Sequence, residues 1–163
     1  MSDTENLFHR RILPEVGLSI DFCPEPTVES TEIEGGRNIY QRLAANDALI
    51  FLRYGKNETL ENFISSPADV MTTVSPIDDR AVSYCGEPAR QVRLLVTRQS
   101  LREYRQEQGS LVHIDHPEER TIIFVIGFSR SGIPVLVGYR VPEARLEQSR
   151  PLLERFVQSV SCL

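Results

Sequence analysis

Lysine is nearly absent from this chain: of 18 basic residues in 163, only Lys56 is a lysine and the rest are arginines. Tryptophan is missing altogether, and cysteine is sparse. Cys23, Cys85 and Cys162 are odd in number, widely spaced and without a CxxC pair, which excludes the paired-cysteine zinc and thioredoxin-type signatures. In a reducing compartment they read as small buried hydrophobes. No apolar run approaches the ~20 residues of a membrane-spanning helix. The opening Met1-Ser2-Asp3-Thr4-Glu5-Asn6 is polar and acidic, and the apolar Ile12-Leu13 stops at Pro14, so no secretory signal is legible. These absences make a cytoplasmic protein the expectation. Basic charge is outnumbered as well, 23 acids to 18 bases for a net −5. That balance disfavours nucleic acid or an anionic membrane as partner, because both select a basic surface.

What is present is an ordinary globular mixture, 40% hydrophobic and 25% charged, in a length suited to one core. A flexible N-terminal arm is expected over 1–15 and a single α+β domain over 16–163. Gly17 to Phe22 alternates apolar and polar, the period of a half-buried strand, and Cys23-Pro24-Glu25-Pro26 ends it. After an acidic link containing Gly35-Gly36, strand-like runs span Arg37 to Ala44 and Ala48 to Tyr54, joined by a hairpin loop at Ala45-Asn46-Asp47. The first run alternates imperfectly, with Gln41 on the face of Ile39 and Leu43. A short helix capped by Asn57 is expected over 57–64, blocked by Ser66-Pro67. A looser stretch then ends in a turn at Asp78-Asp79. Strands follow at Val82 to Tyr84 and Ala89 to Thr97, around Gly86-Glu87-Pro88.

Ser100-Leu101-Arg102-Glu103 fits a capping box, so a helix is expected from there to a glycine stop at Gln108-Gly109, with 110–119 a connecting loop. The strongest pattern comes next. Thr121 to Phe128 and Ile133 to Tyr139 are apolar on successive residues and flank Ser129-Arg130-Ser131-Gly132. A short glycine-containing connection makes them an antiparallel hairpin, and the unbroken apolar runs require cover on both faces. From Glu143 to Ser161 the apolar residues Leu146, Leu153, Phe156, Val157 and Val160 recur at helical spacing. Regular helix is expected from about Ser149, which places Pro151 in the first turn.

The block from Phe124 to Glu143, together with Ser149 to Ser159, resembles the closing strand, proline and helix of the PsbP-like superfamily. Gly17-Leu18-Ser19-Ile20-Asp21-Phe22-Cys23-Pro24 is similar to that family's first strand, and Gly86-Glu87-Pro88-Ala89 to its middle. The resemblance implies a central antiparallel sheet of about six or seven strands sandwiched between helices. It implies no catalytic residues, since members are mostly adaptors and binding proteins, among them secretion chaperones. Departures are the missing tryptophan after the first strand and an extra polar segment at 99–119.

Few constellations suggest chemistry. His113 and His116, with Glu118 and Glu119 behind them, have metal-ligand character, but on a strand residues three apart point to opposite faces. Cys85 would supply a Cys–His dyad only if folding brought it to that pair. Asp78-Asp79-Arg80 offers two carboxylates for acid–base work, or an exposed turn. Arg90, Arg93, Arg98, Arg102 and Arg105 form a local arginine excess, and guanidinium forks suit an acidic partner if they share a face.

The expected function is therefore a non-catalytic adaptor or chaperone-like module that binds another protein. Arg93, Arg98, Arg102, Arg105, His113 and His116 are its candidate contact residues, 99–119 its distinctive surface, and no cofactor or metal is assigned. A small-molecule or metal-dependent enzyme with a pocket near His113 and His116 is the alternative. A domain assembling as a homodimer through a sheet edge is the third reading.

Overall fold

The protein is described by a computed structural model over residues 8–24, 27–65 and 71–163. Strands β1 (His9–Leu13), β2 (Leu18–Phe22), β3 (Glu29–Ile33), β4 (Gly36–Leu43) and β5 (Ala48–Tyr54) come first, followed by helix α1 (Leu60–Ser65). Then come β6 (Thr72–Tyr84), β7 (Glu87–Arg98), β8 (Leu101–Glu107), β9 (Ser110–His116), β10 (Glu119–Arg130) and β11 (Ile133–Pro142). Helix α2 (Leu146–Gln158) and the short β12 (Ser161–Cys162) close the chain. One seven-stranded antiparallel sheet dominates, in the order β3-β4-β5-β11-β10-β7-β6. A three-stranded sheet, β1-β2-β12, and a two-stranded one, β8-β9, complete the architecture.

The centre of the large sheet is the apolar hairpin read from the sequence. Ile122, Phe124, Ile126 and Phe128 of β10 enter one core, while Ile123 and Val125 enter a second core on the opposite face. Consecutive apolar residues are thus explained by burial on both sides. The first core is roofed by α2 through Leu153, Phe156 and Val157, and by β2 through Leu18, Ile20 and Phe22. Among the described residues the second is covered by α1, with Leu60 buried and Phe63 and Ile64 packed beside it. Helices on both faces therefore overstates the cover: a helix and a small sheet roof one face, and a six-residue helix shields part of the other.

Local chemistry sets the tight hairpins. Cys85-Gly86, Gln108-Gly109 and Ser131-Gly132 each place two successive residues at positive φ, the requirement of a type I′ turn, whose twist matches that of the flanking strands. Gly138 answers a different need: a Cβ there would lie 2.0 Å from the Phe124 carbonyl oxygen across the ladder. The imperfect alternation of β4 also acquires a reason. Gln41 is buried, its Nε2 donates to the Cys23 carbonyl at 2.9 Å, and its Oε1 accepts from the Cys23 N–H at 3.0 Å. The amide fastens the end of β2 onto the large sheet and leaves no unpaired polar group there.

Several expectations are corrected. Residues 9–13, assigned to the flexible arm, form β1 in register with β2 from His9↔Phe22 to Leu13↔Leu18, whereas 1–7 lie outside the described residues. The acidic link includes the edge strand β3, and the looser stretch before Asp79 belongs to edge strand β6 from Thr72 onward. Pro76 is tolerated because an edge strand needs only one ladder, and the register shifts beside it, with Ile77 exposed. Thr59, not Asn57, caps α1, its Oγ1 accepting from the Asn62 N–H, and the Ser66-Pro67 stop lies outside the described residues. Helix α2 begins at Leu146, fed by a 3-10 turn over Glu143–Arg145, so Pro151 sits inside the helix rather than in its first turn. No helix of the described residues is long and apolar enough to cross a membrane.

The cysteines divide. Cys23 is free and buried, as expected, and burial pushes its thiol up. Cys85 and Cys162 instead form a disulfide with Cα atoms 5.6 Å apart, well within the span such a bond requires. The bond joins the β6–β7 turn to β12, two elements that spacing alone does not associate. Nearby, the Tyr84 hydroxyl donates to the Val157 carbonyl at 2.5 Å, so β6, β12 and the end of α2 are tied at one corner.

Candidate functional site

Residues 99–119, expected as a helix and loop, form the β8–β9 hairpin instead. The glycine of Gln108-Gly109 serves as the second residue of a type I′ turn rather than as a helix stop. The hairpin grows out of β7 and β10 just beyond the Arg98↔Glu119 pair, with Pro117 interrupting the ladder. It forms a separate two-stranded sheet, an arm beyond the seven-stranded body. Isolated two-stranded ribbons are marginal in water, and this one is braced by its own cross-strand pairs.

Register assigns those pairs to two faces. On one, Arg102 donates to Asp115 through Nε at 2.6 Å and Nη2 at 3.2 Å, and the Tyr104 and His113 rings lie 6.4 Å apart. On the other, Glu103 accepts from Arg105 at 2.7 Å and lies 2.9 Å from His116 Nε2. Apolar side chains lie between them uncovered: Leu101 is 45% exposed, Tyr104 61%, Leu111 69% and Val112 40%. Exposed apolar groups thus lie on both faces of the projecting ribbon.

The arm's electrostatics carry a pH consequence. Hydrogen bonding to Arg102 holds the Asp115 carboxyl below its ordinary range, and Arg105 with His116 does the same for Glu103. Depressed carboxyls contribute stability that is present above their unfolded pKa values, about 3.9 for Asp and 4.3 for Glu, and lost as pH falls through the folded ones. Below pH ~4 the arm is therefore expected to fray before the body. Backbone NMR shifts of 101–116 should collapse towards coil values while those of β10 and β11 stay dispersed; simultaneous loss of both would contradict this.

The six candidate contact residues are not gathered on one face. Arg102 and His113 share one face of the arm, and Arg105 and His116 the other. Arg98 is exposed at the end of β7. Arg93 points to the α2 side of the large sheet, its guanidinium carbon 5.6 Å from the Phe124 ring, while Arg90 on the opposite side bonds Asp79. Strand alternation scatters the arginine excess that composition suggested.

The chemical alternatives disperse too. His113 and His116 point apart because the loop expected over 110–119 is instead strand β9, and no group of three metal-ligating side chains occurs among the described residues. Cys85 is disulfide-bonded at the opposite end of β7 from the arm, a dozen residues or ~40 Å of extended strand away, so no Cys–His dyad forms. Asp78 bonds Arg80, and Asp79 bonds Arg90, which holds the Asp79 carboxyl low. Each carboxylate has its own cation, and the two do not form an acid–base couple. Beside His116 there is a shallow depression bounded by Leu101, Arg102, Asp115 and Pro117, with little apolar wall for a ligand.

The exposed apolar residues of the arm that sequence reasoning passed over are Leu101, Tyr104, Leu111 and Val112. Their signal was a Gln-Gly pair between two mixed polar runs of equal length, which reads as a hairpin once the capping box is set aside.

No protein-family model matches this chain, and no curated protein sequence matches it. Among solved structures it is similar to the solution structure of cyanobacterial PsbP (CyanoP) from Synechocystis sp. PCC 6803, with a TM-score of 0.57 and 10% identity over 96% of this chain and 92% of that one. The fold is PsbP-like, in agreement with the resemblance read from the sequence.

Proposed function

We propose that this chain is a non-catalytic protein-binding module, an adaptor or chaperone-like domain, that engages its partner through the β8–β9 arm. The observation that carries the reading is the set of uncovered apolar residues on the arm, Leu101, Tyr104, Leu111 and Val112. A two-stranded ribbon also has two unpaired backbone edges, which suit strand addition by an extended segment. Assembly through the large sheet has less support, because its β6 edge carries Pro76 and a register shift, and its β3 edge is short and acidic. Disulfides persist in oxidising compartments, so the Cys85–Cys162 bond favours such a location over the cytoplasm expected from the sequence.

The test is affinity capture from the organism's own extract with the natural chain and with a variant carrying Ser at Leu101, Tyr104, Leu111 and Val112. Circular dichroism and the thermal transition should show the body intact. Loss of specific partners in the variant is expected; an identical partner set would overturn the reading.

A further inference from the structure

Among the described residues the face of the large sheet opposite α2 is only partly covered, and next to α1 it forms an open bowl of about 420 Å³. That volume lies within the range of small-molecule sites. Leu49, Phe51 and Ile123 lie at its floor, and Phe63 of α1 forms a wall, its ring centroid 5.5 Å from that of Phe51. The charged part is set by strand register. Arg42 on β4 is opposite Leu49 on β5, and Leu49 is opposite Arg140 on β11. Two arginines thus flank one leucine in a single cross-strand row, their backbones ~10 Å apart at ordinary strand spacing.

Neither arginine has a carboxylate within ion-pair distance among the described residues. The other cation lining the bowl, Arg53, is paired with Glu58 at 3.1 Å. Among the described residues no acidic side chain lines the bowl; Glu29 is engaged with the Tyr40 hydroxyl, and Asp47 lies in the adjoining depression at the strand ends, which Arg42, Leu49 and Arg140 also line. A second polar feature is Asn38, whose buried Oδ1 has no hydrogen-bond partner. Buried amide oxygens are ordinarily satisfied, so this one is available to a donor that enters the bowl.

We propose that the bowl is a binding site for a small organic anion with a flat apolar body, of the aryl carboxylate class. The carboxylate lies over Leu49 between Arg42 and Arg140, where guanidinium forks match its geometry. The ring system covers Leu49, Phe51 and Ile123 and meets the Phe63 edge, and a donor group on the ligand would satisfy Asn38. The site stands apart from the arm, so it does not rest on the protein-binding reading.

Titration of the full chain with naphthoate, and with naphthamide as its neutral isostere, tests this by calorimetry. Naphthoate is expected to bind saturably and at least about tenfold more tightly than naphthamide, the discrimination of one charge-assisted hydrogen bond. Arg42→Gln and Arg140→Gln should each lower naphthoate affinity about tenfold and leave naphthamide affinity nearly unchanged. Both arginines are exposed, so the variants retain the fold, and Arg145→Gln on the 3-10 turn controls for general loss of positive charge. Absence of saturable naphthoate binding, equal affinity for the two probes, or an effect of Arg145→Gln as large as the others would each overturn the proposal.

Discussion

Replacing Phe156 by Ala is expected to lower the free energy of unfolding by about 3–5 kcal/mol, the range for emptying a buried aromatic site. Phe156 is 1% exposed and its ring centroid is 5.3 Å from that of Phe22 on β2, so it locks α2 to the small sheet above the main one. The main-chain carbonyl of Phe156 also accepts from the Ser159 hydroxyl and N–H, the turn that directs the chain into β12. A cavity at this point loosens helix, small sheet and C-terminal strand together. Urea unfolding provides the measurement. Phe63→Ala on α1 serves as the comparison, because that ring is only half-buried and should cost much less. A Phe156→Ala loss below about 1 kcal/mol, far under the usual range, would show that α2 is not what closes the first core.

Breaking the Cys85–Cys162 bond is the second large effect. The cysteines are 77 residues apart, and a cross-link closing a loop of that order is worth about 4.5 kcal/mol on the chain-entropy relation, within an observed range of about 2–5. Cys85→Ser and Cys162→Ser should each destabilise by a similar amount. The double variant should lose no more than either single one, because both remove the same bond. Alkylation of the unfolded, unreduced protein followed by mass spectrometry should mark Cys23 alone. Three alkylated thiols, or additive losses, would show that the bond does not form.

How much of this was legible in the sequence depends on where the information resides. The β10–β11 hairpin and α2 could be read directly because their signals are local: an apolar run or a helical period records the burial of each side chain on its own element. The chain from Leu101 to His116 contributes little burial, so its pattern held no record of a core. Its local cues were double-valued, since a Ser-x-x-Glu opening and a Gln-Gly close serve a short helix as well as a hairpin. Among the candidate site residues, the opposition of His113 and His116 followed from strand geometry only once 110–116 formed a strand in place of the expected loop. The scattering of Arg93, Arg98, Arg102 and Arg105 did not, because it depends on which strand each occupies and which face is covered.

By itself the sequence determined the central hairpin with cover on both faces, the amphipathic closing helix and the compatibility of its X-Gly pairs with tight turns. These follow from side-chain periodicity and backbone sterics within a few residues. Only the tertiary structure decided that 9–13 and 72–79 are strands, that Cys85 meets Cys162, that the polar insertion becomes an arm, and that Arg42 and Arg140 flank Leu49 over an open bowl. Each of these depends on a partner distant in the chain, and edge strands, disulfides and cross-strand rows exist only once that partner is in place.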